Sequence, residues 1–193
     1  MTEYAPSTSP DLPLPPDADA PEEVQWAGQY ITAMTRGRWE FVSRARGIRA
    51  AVILAVEEGR VLLVEQYRVP LGKRCLELPA GLVGDDEGSE DEAPHAAAAR
   101  ELEEETGYRA DRWEDLGEYF SSPGMVSESF RLLKATGLTR TGAGGGVAGE
   151  NIVVHEVPLD GIGRKVADFR ASGGAIDVKL LMLLGPQFLG ENQ

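Results

Sequence analysis

AGLVGDDEGSEDEAPHAAAARELEEETGY, running from Ala80 to Tyr108, is the stretch whose reading decides the fold. Its second half is alanine-rich and predicts a helix that begins near Pro94, a residue well tolerated in a first turn, and stops at Gly107. At about 100° per residue, Glu101, Glu104 and Glu105 share one face and Tyr108 continues their stripe, while Glu103 points the other way. Ala98 and Leu102 lie beside the acidic stripe and seat the helix on a core.

Three carboxylates on one face repel one another, and a helix built only for stability would interleave lysine or arginine. Arg100 is the one nearby cation. Divalent cations would relieve the repulsion, and an all-oxygen donor set suits magnesium or manganese better than zinc. Read without its neighbours, E-x-x-E-E is a solvated acidic face.

The chain of 193 residues is long enough for one domain with a sizeable core. A net charge of -13 supplies no basic face for a nucleic-acid backbone, and an anionic substrate would need bound metal and a few arginines. The single cysteine, Cys75, precedes an apolar run and reads as a buried structural thiol in a reducing compartment. His95 and His155 are too scattered for a zinc site. No window approaches a membrane-spanning length and no signal segment is visible, so a cytoplasmic location is expected.

Residues 1–24 carry six prolines among Ser, Asp and Ala and read as a disordered tail. Residues 25–47 show a short-strand pattern broken at Gly37. Residues 48–193 form the main domain. Ile48–Val56, Arg60–Tyr67, Cys75–Leu78, Trp113–Ser122, Ser127–Thr136 and Asn151–Val157 read as strands, with a tight turn at Glu57-Glu58-Gly59. Gly142 to Gly149 reads as a flexible loop, since no lysine follows it as a phosphate cradle requires. Pro158–Phe169 and Ala175–Leu184 read as closing helices. Strands on either side of one central helix, with helices at the end, give a mixed α/β sandwich.

The run Arg100-Glu101-Leu102-Glu103-Glu104-Glu105-Thr106-Gly107-Tyr108 resembles the second half of the Nudix box, R-E-U-x-E-E-x-G-U with U apolar or aromatic. In the first half, Glu92 stands at the expected distance before Arg100, but Gly81 lies five residues too far upstream, which implies an insertion in the intervening loop. Glu87 rivals Glu92 as the first box glutamate. The resemblance implies the Nudix α/β/α sandwich, with a mixed sheet and a central catalytic helix. Gly81, Glu92, Arg100 and Gly107 would then be structural members of the box.

Three flanking motifs resemble those of the ADP-ribose pyrophosphatases: Glu65-Gln66-Tyr67-Arg68, Leu76-Glu77-Leu78-Pro79-Ala80-Gly81, and Ser122-Pro123-Gly124 followed by Ser127-Glu128. Pro123 falls fifteen residues past Tyr108, as in that subfamily. The resemblance implies hydrolysis of a nucleoside diphosphate sugar, ADP-ribose first, with Mg2+ or Mn2+ as cofactor and a homodimer as assembly. Glu101, Glu104, Glu105 and the Ala80 carbonyl would hold metal, with Glu104, Glu105 and Glu150 catalytic. Arg68, Leu82, Ser122, Pro123, Gly124 and Glu128 would contact substrate, and Trp39, Glu40 and Arg44 on the N-terminal strands would bind the base, across a dimer. The alternatives are a GDP- or UDP-sugar diphosphatase and a non-catalytic nucleotide-sensing Nudix module.

Overall fold

The computed structural model describes residues 13–45, 48–84, 93–147 and 149–189. Three strands, β1 (Glu22–Ala27), β2 (Ile31–Arg36) and β3 (Trp39–Arg44), form an antiparallel N-terminal sheet. The main sheet contains β4 (Arg49–Glu57), β5 (Arg60–Arg68), β6 (Lys73–Glu77), β7 (Ala80–Val83), β8 (Tyr108–Phe120), β9 (Ser129–Arg140), β10 (Val153–Pro158) and β11 (Ala175–Ile176). Its backbone order is β11-β6-β5-β4-β9-β8, with β10 on β5 and β7 on β4. The β4–β9 and β11–β6 pairs are parallel and the rest antiparallel, so the sheet is mixed. Three helices complete the chain: α1 (Pro94–Thr106), α2 (Ile162–Ala171) and α3 (Leu181–Leu189).

Strand parity divides the apolar residues between two cores. Ala51, Ile53 and Ala55 of β4, with Leu62, Leu133 and Ala135, meet Ala97, Ala98 and Leu102 of α1. Their neighbours one residue away, Val52, Val61, Leu63 and Leu132, face the other way and pack with Ile162 and Val166 of α2 and Leu184 of α3. A period of two in the strands and of about 3.6 in the helices makes this the arrangement that buries both sets. The result is the expected α/β/α sandwich. The tight turn after β4 has Glu58 and Gly59 both left-handed, at φ 47° and 73°, which matches the twist of the two strands it joins.

Three expectations need correction. The tail boundary at residue 24 falls inside β1, whose Glu22 and Val24 pair with Arg36 and Met34. Before it, Arg38 ties down Asp17 at 2.9 Å, so residues 13–24 carry turn and strand; residues 1–12 lie outside the described residues. Ala80–Val83, where the sequence pattern assigns no strand, pairs with β4 from Val52 back to Arg49; tertiary pairing overrides the weak strand propensity of Ala and Gly. Ala175–Leu184 is not one helix. Ala175 and Ile176 pair with Cys75 and Leu76, and Asp177 accepts the Lys179 N–H at 2.7 Å to start a new turn.

The N-terminal sheet is attached to the main body through β3. Val42 donates to the Met125 carbonyl at 2.9 Å and accepts from Ser127 at 3.0 Å, and Arg44 pairs with Glu128. A chain lacking residues 1–24 is expected to lose the Asp17 anchor and the first half of β1. Its melting temperature, followed by circular dichroism, should fall by a few degrees, about what 1–2 kcal/mol produces in a chain of this size. An unchanged midpoint would show that this segment adds nothing to the fold.

Candidate active site

Helix α1 lies against β7 through two close approaches. The Ala80 N–H donates to Glu105 Oε2 at 3.0 Å. A Cβ on Gly81 would stand 2.0 Å from Glu101 Cγ, so only glycine lets the β7 backbone pass this side chain. Glu105 is 5% exposed. Burial pushes its carboxyl up to about 8; the Ala80 N–H opposes that shift, and the negative fields of Glu101 and Glu150 add to it. Arg100 pairs with Glu101 at 2.9 Å and Glu104 at 3.4 Å and thereby spans the acidic stripe.

The C-terminal end of α1 is closed by residues 141–146. Gly107 caps it at φ 74°, with its N–H on the Glu103 carbonyl at 2.8 Å. The N–H groups of Gly145 and Gly146 donate to the Glu105 and Glu104 carbonyls at 2.8 and 3.0 Å, satisfying acceptors that a helix end leaves open. A Cβ on Gly144 would lie 2.4 Å from the Thr106 backbone. The glycine run, read as a flexible loop, is therefore a packed cap. Glu103, which points away from the acidic stripe as expected, is held by Arg109 and Thr141 at 2.7 and 3.0 Å.

Glu150 is exposed, and its Oε2 accepts the Val147 N–H at 2.9 Å, so in this arrangement it closes its own turn. The loop's far end is fastened by Arg74, which donates to the Asn151 carbonyl at 3.3 Å. Glu87 and Glu92 lie outside the described residues.

Beside Ala80 and Gly81 opens a cavity of about 280 Å3. Its apolar lining comes from Ala50, Val52, Leu82 and Phe130, and its charged walls from Arg44, Arg68, Glu77, Glu128 and Lys179. Arg68 grips Glu77 with two parallel hydrogen bonds, 2.6 and 2.7 Å. A second cavity of about 300 Å3 lies between the N-terminal sheet and the 123–127 turn, lined by Trp39, Phe41, Pro123 and Gly124 among others. The residues expected to contact substrate are thus split. Arg44, Arg68, Leu82 and Glu128 line the first cavity; Trp39, Pro123 and Gly124 line the second. Glu40 is exposed opposite Thr35. Ser122 contributes its carbonyl to the turn, accepting from Met125 and Val126 at 3.0 and 2.9 Å.

Sequence reasoning missed Glu77 and Lys179. Glu77 had a signal: a lone carboxylate between Leu76 and Leu78 must find a partner when its strand is buried. Lys179 had none. Cys75 is buried, its thiol pushed up to about 12 chiefly by burial, as a structural thiol should be. His155 is held between Glu65 at 2.9 Å and Lys165 at 3.2 Å.

Among the described residues, no three His, Cys, Asp or Glu side chains converge as a ready metal cage. The donor chemistry nevertheless fits a hard divalent cation. Glu101, Glu104 and Glu105 offer only oxygen, and the buried Glu105 is strained in its ionised form by its acidic neighbours.

A mixed sheet between helices, with an acidic helix docked on the strand that lines a cavity, defines a Nudix-type sandwich. The family profile for the NUDIX domain matches residues 45–157, and the chain belongs to the Nudix hydrolase family. It is 40% identical over 111 residues to a methanol dehydrogenase activator of Bacillus methanolicus, covering 57% of each chain. To an ADP-ribose pyrophosphatase of Mycobacterium tuberculosis it is 44% identical over 92 residues, 48% of this chain and 42% of that one. It thus spans about half the length of these two relatives. With a GDP-mannose pyrophosphatase of Cronobacter sakazakii it shares 37% identity over 149 residues, 72% of each chain. A solved structure titled as an ADP compounds hydrolase superposes with a TM-score of 0.64 at 20% identity, over 89% of this chain and 94% of that one, which supports the fold.

The raised Glu105 carboxyl has a stability consequence. Between its ordinary value of 4.5 and about 8, the unfolded chain ionises this group while the folded chain keeps it protonated. The folded state therefore binds more protons, and stability contributed at this site falls as pH rises through that window. With a chelator present, Glu105→Gln should remove the fall, gaining on the order of a few kcal/mol over the parent at pH 8 and little near pH 4.5. Parallel urea midpoints at both pH values for the two proteins would contradict this.

Proposed function

We propose that the protein is a magnesium-dependent pyrophosphohydrolase, with manganese as the alternative ion, that cleaves the diphosphate of ADP-ribose to AMP and ribose 5-phosphate. One observation carries the reading: the all-oxygen acidic face of α1 packs on Ala80 and Gly81, which also line a cavity with both apolar and cationic walls. A diphosphate between two sugars needs both, because its charge must be neutralised and its sugars seated. The names of two relatives, from Mycobacterium tuberculosis and Bacillus subtilis, support the substrate class.

In this proposal Glu101, Glu104 and Glu105 hold the cation, with the Ala80 carbonyl beside them. A divalent ion there would neutralise the diphosphate and polarise the phosphoryl group under attack. Glu105, pinned by the Ala80 N–H, has its carboxylate orientation set before substrate arrives. Glu104, the more exposed carboxylate, orients the attacking water in this reading. Arg68 and Arg44 bind the diphosphate and sugar, each held in position by a carboxylate, Glu77 and Glu128. Trp39 and Pro123 receive the base in the second cavity. Glu150 acts through the loop, since its carboxylate supports its own turn.

The N-terminal sheet is the proposed site for a second copy. Every residue of β1 is exposed, and Val24, Trp26, Tyr30, Ile31 and Trp39 are each at least 41% exposed. An apolar surface of this kind marks an interaction site. Light scattering on the eluted protein should give twice the mass of the 20.8 kDa chain, and a monomer mass at micromolar concentration would reject this assembly.

A GDP-mannose reading has one observation in its favour, the wider overlap with the Cronobacter sakazakii enzyme. The test compares kcat/KM for ADP-ribose, GDP-mannose and dATP with magnesium and a coupled phosphatase. ADP-ribose should exceed both by about tenfold or more, a difference of roughly 1.4 kcal/mol in transition-state binding. Equal or better turnover of GDP-mannose would move the assignment.

A further inference from the structure

The third cationic group in the first cavity, Lys179, belongs to no part of the Nudix box and lies outside residues 45–157 that match the family profile. Its placement is built by backbone pairing. β11 runs parallel to β6 with Ala175 opposite Cys75 and Ile176 opposite Leu76. The Asp177 N–H then donates to the Leu76 carbonyl at 3.0 Å, one residue before Glu77. Leu180, fully buried, anchors the far side of the turn. The ammonium of Lys179 is clamped by Asp177 Oδ2 at 2.7 Å and stands 5.6 Å from the centroid of the Phe130 ring, which lines the same cavity.

We propose that Lys179 is a substrate-binding residue that holds the phosphate on the sugar-phosphate half of the substrate. This deepens the reading above and rests on it. The side chain is only 16% exposed and is one of the residues that line the cavity. An ammonium has three N–H donors, and Asp177 is its one acceptor among the described residues. Burying a charge with donors left over is costly unless a ligand completes them. The sheet order then assigns which half of the substrate that is. β11 and β6 form one edge, while the base cavity, with Trp39 and Pro123, lies beyond Arg44 and Glu128 at the side where β3 attaches. The acidic helix contacts the cavity wall through Ala80 and Gly81, which line it. A substrate spanning the acidic helix with its base near Trp39 presents its other half to Arg68, Glu77 and Lys179.

The test uses the full chain and two small probes, ribose 5-phosphate and AMP, titrated calorimetrically so that no turnover is required. Lys179→Met removes the charge and keeps the stem against Phe130; Lys179→Gln serves if the methionine variant melts early. Loss of a charge-assisted hydrogen bond should weaken ribose 5-phosphate binding about tenfold or more and leave AMP within about twofold. KM for ADP-ribose should rise with kcat little changed. If both probes weaken equally, Lys179 only supports the cavity wall, and the proposal is wrong. It is equally overturned if neither probe changes, if AMP alone weakens, or if the parent protein binds no ribose 5-phosphate. Failure of the parent to hydrolyse ADP-ribose, with selective loss of ribose 5-phosphate binding in the variant, would instead sink the substrate assignment and leave Lys179 in place.

Discussion

The site depends on one contact, the acidic face of α1 laid against the backbone of β7. Gly81 has no Cβ, so Glu101 can occupy the space a side chain would fill. One residue earlier, the Ala80 N–H fixes Glu105. These contacts crowd three carboxyl groups onto one helix face and bury one of them, Glu105. The opposing terms are local: Arg100 across Glu101 and Glu104, and Leu102 and Ala98 buried beneath. The cap formed by residues 141–146 follows from the same constraint. The last turn of the helix, which carries the candidate carboxylates, is kept from fraying: the Gly145 and Gly146 N–H groups tie down the two carbonyls that belong to Glu105 and Glu104.

Much of this was legible in the chain. The strand parity of β4 and β5 and the helix from Pro94 to Gly107 follow from periodicity and end signals that local physics enforces. The elements that were missed are those whose residues carry no such period. Ala80–Val83 contains Ala and Gly and becomes a strand only because the first residues of β4 offer it an edge. Ala175–Leu184 carries apolar residues at helical spacing, yet its first two residues are taken by the edge of β6, and Asp177 then caps a fresh turn.

The candidate site divides the same way. The carboxylates share one helix, so their grouping could be read from spacing alone. Arg68 and Glu77 come from neighbouring strands, nine residues apart, and meet through a register no local pattern encodes. Lys179 arrives from a segment whose position depends on a two-residue parallel pairing. The glycines of the cap read as flexibility because glycine permits it, while in the fold their missing side chains serve close approach to Thr106 and Gly142. A glycine run carries no mark of which use it has.

Charge balance ties these parts together. The chain has 32 acidic and 19 basic residues, yet Arg44, Arg68 and Lys179 all line the same cavity. Each of these cations is matched by a carboxylate, Glu128, Glu77 and Asp177. The walls therefore offer donors in fixed positions without a large net positive field. Such a cavity orients a polyanion more than it attracts one from a distance, because long-range attraction follows net charge and short-range recognition follows hydrogen-bond geometry. On the proposed reading, the attraction must come from elsewhere. The acidic face of α1 favours a cation, and a diphosphate favours a cation, so each is a poor ligand of the protein without the ion between them. Binding of the two is then coupled through one charge, and by linkage each raises the affinity for the other by the same factor. An acidic protein can in this way handle an anionic substrate without acquiring a basic surface.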